Sequence, residues 1–191
     1  MEEIEVKFLD IDPIEVEKKI LSLGGAKKFD RVFRRIVFDT PDLSLNSKGA
    51  WIRLRDEGER IALSYKQRLG MDKKGNDDGM IEEEIEVSDF DMTAKILRHS
   101  GLKDKFYEEN RRVQFDLGGV ELDIDYWPLL EPYLEIEAGS WEDIDKTIEL
   151  LGLDPKDKKI YPTYEVYKLN GIDELSYDVL TFNKQVKKKH L

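Results

Sequence analysis

Cysteine is absent from this chain of 191 residues, and histidine occurs only at His99 and His190. Disulfide and thiolate chemistry are therefore excluded, which fits a reducing, cytoplasmic setting. A zinc site needs Cys or His ligands in numbers that the chain lacks. A Ser-His-Asp triad would have to use His99, which no motif supports. Any metal is expected to be a hard, oxygen-loving ion, Mg²⁺ or Mn²⁺. No apolar run is long enough to span a bilayer, and charge beginning at Glu2 speaks against a signal peptide, so no membrane partner is expected. Basic residues are in the minority, 31 Lys and Arg against 42 Asp and Glu, and the net charge of −11 argues against nucleic acid as a partner. Neither a Walker loop nor a dinucleotide fingerprint is present.

Hydrophobic residues make up 40% of the chain and charged residues 38%, a globular but charge-rich balance suited to one domain. Three strand–helix units follow one another loosely. The strand Ile4–Leu9 leads to a helix capped by Asp12, begun at Pro13 and ended at Gly24-Gly25. The strand Glu82–Val87 leads to caps at Ser88 to Asp91, a helix over 92–99 and a stop at Gly101. The strand Tyr133–Ala138 leads to the N-cap Ser140 and a helix that stops at Gly152. Between them, period-two runs predict strands at Arg34–Asp39, Ala50–Arg55, Ile61–Arg68, Arg111–Leu117 and Val120–Tyr126. Gly118-Gly119 marks a tight hairpin between the last two. A further strand is expected at Tyr164–Leu169, and Gly70–Gly79 reads as a mobile polar loop. Trp127-Pro128 reads as a packing corner. Many strands joined by hairpins, with few helices, give an α+β fold with a mostly antiparallel sheet.

The faces of these strands differ sharply. One carries Ile4, Val6, Ile52, Leu54, Leu63, Ile85, Val87, Leu122, Ile124 and Ile136, an oily face for the helices to cover. The other carries Glu3, Glu5 and Lys7; Trp51, Arg53 and Arg55; Ser64, Lys66 and Arg68; Glu82, Glu84 and Glu86; Asn110, Arg112 and Gln114; Glu121, Asp123 and Asp125; and Glu135 and Glu137. An ordinary antiparallel sheet with one wet face would account for any one strand. The repeated segregation into acidic and basic strands points instead to a closed barrel with a charged lumen. Such a lumen suits a polyanion together with its cations, because phosphate oxygens take Arg and Lys and carboxylates take a metal.

The opening Glu3-x-Glu5-x-Lys7 strand resembles the signature of the CYTH superfamily, the triphosphate tunnel metalloenzymes. Further steps follow in order: Phe38-Asp39-Thr40, Arg53-Leu54-Arg55, Ser64-Tyr65-Lys66, Glu84-Ile85-Glu86, Arg112, Asp125, Glu135-Ile136-Glu137 and Thr163-Tyr164. Val37 stands where Tyr is common and Asn110 where Lys is common. The resemblance covers roughly residues 1–170 and implies an α+β fold with a closed antiparallel eight-stranded barrel, its helices packed outside. It implies a single tunnel domain over 1–175 and a basic extension over 176–191 that frays at its end. The implied metal ligands are Glu3, Glu5, Glu84, Glu86, Asp125, Glu135 and Glu137, for Mg²⁺ or Mn²⁺. The implied substrate-binding residues are Arg53, Arg55, Lys66, Arg68 and Arg112, and Lys7 is the catalytic residue, taking up a proton. The expected partner is a triphosphate small molecule: ATP, tripolyphosphate or thiamine triphosphate. A homodimer is compatible with this reading. The segment Asp125–Glu137 is most similar to the class IV adenylyl cyclase branch, which converts ATP to cyclic AMP and pyrophosphate. An inorganic or thiamine triphosphatase, and a non-catalytic nucleotide- or polyphosphate-binding module, remain as alternatives.

Overall fold

Residues 4–68 and 80–189 are described by the computed structural model. In chain order the elements are β1 (Ile4–Phe8), α1 (Pro13–Ser22), β2 (Ala26–Asp39), β3 (Ala50–Asp56), β4 (Ile61–Arg68), β5 (Met80–Val87), α2 (Phe90–His99), β6 (Lys103–Leu117), β7 (Val120–Tyr126), β8 (Tyr133–Ala138), α3 (Trp141–Leu151), α4 (Thr163–Leu169), β9 (Tyr177–Leu180) and β10 (Gln185–Lys187). They fall into two compact units, Met1–Arg31 with Asn110–Glu174, and Val32–Glu109 with Leu175–Leu191. The loop expected at Gly70–Gly79 lies outside the described residues.

In the first unit β1, β8, β7 and β6 pair antiparallel, with Val6 opposite Ile136, Ile136 opposite Leu122 and Leu122 opposite Phe115. Alternation puts all four on one face. There α1 and α3 cover them, and Ile20 and Ile144 join the same buried cluster. Both helices start where their caps dictate. The Asp12 carboxylate accepts from the Ile14 and Glu15 amides at 2.9 and 3.2 Å, and the Ser140 hydroxyl accepts from the Asp143 amide at 3.2 Å. Gly118 and Gly119 turn the β6–β7 hairpin with φ of 64° and 91°, positive values that a side chain at either position would resist.

The strand expected at Tyr164–Leu169 is in fact the helix α4. Its aromatic and β-branched residues favour a strand locally, but packing decides otherwise. Val166 and Tyr167 are buried, the Tyr167 hydroxyl donates to the Pro128 carbonyl at 2.9 Å, and its ring stands edge-on to Trp127 at 6.4 Å. Trp127-Pro128 is thus a packing corner, as expected.

In the second unit β2, β3, β4 and β5 pair antiparallel, with Ile36, Leu54, Leu63 and Ile85 in one cross-strand row. From its cap at Asp89, α2 packs Phe90 and Ala94 onto Ile36, Phe38 and Leu54. Ile85 does not share this cover: it is 62% exposed, while Val87 at the end of β5 packs against the cluster. Its place on the covered oily face is a misreading. At the C-terminus β10 pairs with β9, and β9 runs parallel to β6 with Val179 beside Tyr107. The basic extension is therefore paired over Gln185–Lys187.

The fold is α+β, with an antiparallel sheet and four α-helices among the described residues. The pairing among the described residues does not extend to the expected closed eight-stranded barrel. Among these residues β1 pairs with β8 and makes a single bridge at Lys159, while β5 pairs with β4 alone, so hydrogen bonds do not close the sheet.

Asp39 ends β2 and organises the turn beyond it. Its buried carboxylate accepts from the Thr40, Leu45 and Asn46 amides at 2.7, 3.1 and 3.0 Å. Asp39→Ala strands these donors, and we expect a loss of about 2–3 kcal/mol in denaturant unfolding. A change below about 0.5 kcal/mol would show that water replaces the carboxylate freely.

Candidate active site

Charged side chains gather in each unit on the face opposite its oily one. In the first unit the register sets Lys7 opposite Glu135 and Glu135 opposite Asp123, while Arg112 stands opposite Asp125. Period-two alternation aims all of them one way. Arg112 holds Asp125 with two bonds of 2.8 and 2.7 Å, Glu135 at 2.6 Å and Asp123 at 2.6 Å. Lys7, buried beside them, bonds Glu135 at 2.9 Å and also pairs with Glu5. One row along, Glu5, Glu137 and Glu121 stand directly opposite one another across three strands. Like charges so placed repel.

Carboxylates outnumber cations here, and the electrostatics follow. Burial opposes the Arg112 charge, but Asp125, Glu135 and Asp123 outweigh it and raise its pKa well above the ordinary value. Asp123 fares worse. Burial, reinforced by Asp125, Glu121 and Glu135 and only partly relieved by Arg112, pushes its carboxyl up to about 8. Its Oδ1 is buried without a hydrogen-bond partner among the described residues. Burial, with Glu135 and Asp125 nearby, also raises the Tyr133 phenol well above its usual range.

A pH dependence follows. An exposed aspartate titrates near 3.9, so the fold binds the Asp123 proton more tightly than the unfolded chain does. Metal-free protein should lose stability on this account as pH rises from about 4 to about 8, by up to about 1 kcal/mol per pH unit. Asp123→Asn removes that loss. Its melting temperature should rise above the wild type's by an amount that grows between pH 5 and pH 8.5; a pH-independent difference would contradict the assignment.

The second unit gathers cations. Arg35 lies opposite Arg55, Arg53 opposite Ser64 and Trp51 opposite Lys66. Lys66 reaches Glu82 at 2.7 Å, whereas Arg53 stands 3.9 Å from both Glu82 and Glu84. Arg55 pairs with Glu57, and Arg60 bridges Glu57 and Glu84 at 2.7 and 3.0 Å. The buried Glu108 takes Arg35 at 2.5 Å, and burial raises its pKa against the pull of that arginine. Burial, reinforced by Arg55 and Arg35, lowers the Arg53 guanidinium to about 10. Burial also lowers Lys66, with Glu82 opposing and Arg53 adding to the shift.

Of the residues singled out from the sequence, Glu5, Lys7, Arg112, Asp125 and Glu135 meet in the first cluster, with Glu137 in the adjoining acidic row. Arg53, Arg55, Lys66 and Glu84 belong to the second. Glu86 is exposed on β5 and Arg68 exposed at the end of β4. Glu3 lies outside the described residues. Arg35, Glu57, Arg60 and Glu108 were not foreseen. Glu108 falls in a half of β6 whose acidic sequence gave no strand signal.

A family model for the CYTH domain matches residues 1–161, and the chain belongs to that family. No curated protein sequence matches it. Among solved structures, the PH1012 protein of Pyrococcus horikoshii is 22% identical with a TM-score of 0.62, over 86% of this chain and 98% of its own. A Vibrio parahaemolyticus protein proposed to be an adenylate cyclase is 13% identical with a TM-score of 0.63, over 87% and 97%. HpAC1 from Hippeastrum, a proposed adenylyl cyclase with a dominant triphosphatase activity, is 16% identical with a TM-score of 0.62, over 91% and 97%. At these identities the likeness is one of fold. Among the described residues no helix is long and apolar enough to cross a membrane.

Proposed function

We propose that this protein is a divalent-metal-dependent enzyme acting on a triphosphate. The observation that carries the reading is unbalanced buried charge of both signs. Asp123 keeps an unpaired oxygen and a carboxyl pushed up to about 8, while Arg53 keeps an unpaired Nε and a guanidinium lowered to about 10. Arg112 offsets the Asp123 charge only in part, and Glu82 and Glu84 stand 3.9 Å from Arg53, so the first cluster favours a further cation and the second a further anion.

The donor set fits Mg²⁺ or Mn²⁺ in chemistry, since it is all carboxylate oxygen. In arrangement the oxygens are turned onto Arg112 and Lys7, and no three carboxylates form a metal-ligand group among the described residues. Metal would have to compete with those cations. Glu5, Asp125, Glu135 and Glu137 of the first unit, with Asp123 beside them, would hold it. Bound, the metal neutralises triphosphate charge.

Arg53, Arg55 and Lys66 bind phosphate oxygens through charge-assisted hydrogen bonds, with Arg68 extending the basic strand. Arg112 serves by holding the carboxylates in place. Lys7, positioned by Glu5 and Glu135, takes up the proton of the attacking group when its amine is neutral. For ATP, the ribose 3′-oxygen attacks the α-phosphorus, its bond to the bridging oxygen breaks, and cyclic AMP and pyrophosphate form. The likeness of Asp125–Glu137 to the class IV adenylyl cyclases favours this reaction. Attack by water on the terminal phosphorus, giving orthophosphate, is the second reading, favoured by the activity named for the Hippeastrum relative.

Calorimetric titration with tripolyphosphate tests the metal requirement. Binding should be weak in chelator and tighten at least about tenfold with Mg²⁺, because the acidic cluster repels a bare polyanion. Equal affinity in chelator would favour a non-catalytic polyphosphate-binding module.

A further inference from the structure

Ser64 stands at the middle of β4, opposite Arg53 on β3 and Glu84 on β5. It is 1% exposed, and its hydroxyl has no hydrogen-bond partner among the described residues. Across from it, Arg53 Nε is also buried without one. A buried hydroxyl left unpaired costs free energy, because it has given up water and gained nothing. Glu84 does not relieve the pair, since it comes no nearer to Arg53 than 3.9 Å. Directly opposed residues on antiparallel strands hold their Cβ atoms about 4.5–5.5 Å apart, so the two side chains can meet on one acceptor. The guanidinium only donates, whereas the hydroxyl can donate as well. What satisfies both is an oxygen atom, and the guanidiniums of Arg53 and Arg55 on β3 ask that it be anionic.

We propose that Ser64 is a substrate-positioning residue, its hydroxyl joining Arg53 Nε in holding one phosphate oxygen of the polyphosphate. The inference rests on the triphosphate reading and adds a register to it. Lys66 lies two residues along the same face, so a phosphate anchored at Ser64 fixes which neighbouring phosphate Lys66 takes, and hence which phosphorus is presented for attack.

Wild type, Ser64→Ala and Arg53→Ala, each as the full chain, should be titrated with tripolyphosphate in Mg²⁺ and melted without ligand. Ser64→Ala should bind about tenfold more weakly or worse. Its ligand-free melting temperature should equal or exceed the wild type's, because the orphaned hydroxyl is gone. A residue serving only the fold would lower both. Wild-type affinity in Ser64→Ala beside weakened binding in Arg53→Ala overturns the role of Ser64 and leaves the triphosphate reading standing. Weaker binding with a lowered ligand-free melting temperature assigns Ser64 to the fold and also overturns the role. Absence of tripolyphosphate binding by wild type overturns both.

Discussion

Arg112→Met will destabilise the protein by about 3–5 kcal/mol, the largest loss expected from any single exchange here. The methionine keeps much of the apolar stem but removes the one charge that Asp123, Asp125 and Glu135 share. Asp123 and Asp125 are essentially inaccessible to water, so neither can be solvated in place of its lost partner. The deficit should also depend on pH in a defined direction. Without Arg112 the carboxyls hold their protons more tightly in the fold than in the unfolded chain. The variant therefore recovers as pH falls towards 4 and is worst at pH 8. Denaturant unfolding at pH 4.5 and pH 8 checks both parts. A loss below about 1 kcal/mol at pH 8 would mean that the cluster is open to water.

Cation and carboxylate should fail in different ways. Arg53→Ala removes a buried donor that has no close partner of its own, so it should spare the fold and weaken triphosphate binding by about 1.5–3 kcal/mol, roughly ten- to 150-fold. Relief of its repulsion with Arg55 and Arg35 works in favour of the fold in this variant. Glu137→Gln sits in the acidic row with Glu5 and Glu121, where loss of one charge relieves repulsion. It should lose at least about 100-fold in metal-dependent turnover, with metal affinity reduced in parallel. If both variants keep near-normal binding and turnover, these residues serve only as a solvated face.

The charged faces were legible because strand alternation is rigid. Once Glu5 and Lys7 are placed on a strand, and Glu135 and Arg112 on others, their common direction follows from period two. Register was not legible. That Lys7 meets Glu135 rather than Glu137 depends on hydrogen-bond pairing between segments far apart in sequence. Burial was not legible either. Glu121, Asp123 and Asp125 share one strand face, but only the Asp pair is shut away from water, and that difference makes Asp123 the unusual group. The Arg35–Glu108 pair was hidden for another reason. The first half of β6 is too polar to read as a strand, yet it extends as one, with Tyr107 and Glu108 paired to β9. Ile85 and α4 mark the opposite error, where apolar or β-forming residues were given a strand's inner face or a strand's conformation. Which side a helix covers, and whether a short segment coils, is decided by tertiary packing.

The most direct measurement is a product assay with ATP, tripolyphosphate and thiamine triphosphate side by side, each with Mg²⁺, with Mn²⁺ and with chelator. Metal-dependent turnover of at least one is expected, with cyclic AMP and pyrophosphate from ATP as the first product to seek and orthophosphate from tripolyphosphate as the mark of the second reading. Binding of all three without any product, under either metal, would contradict an enzymatic role for these paired charges.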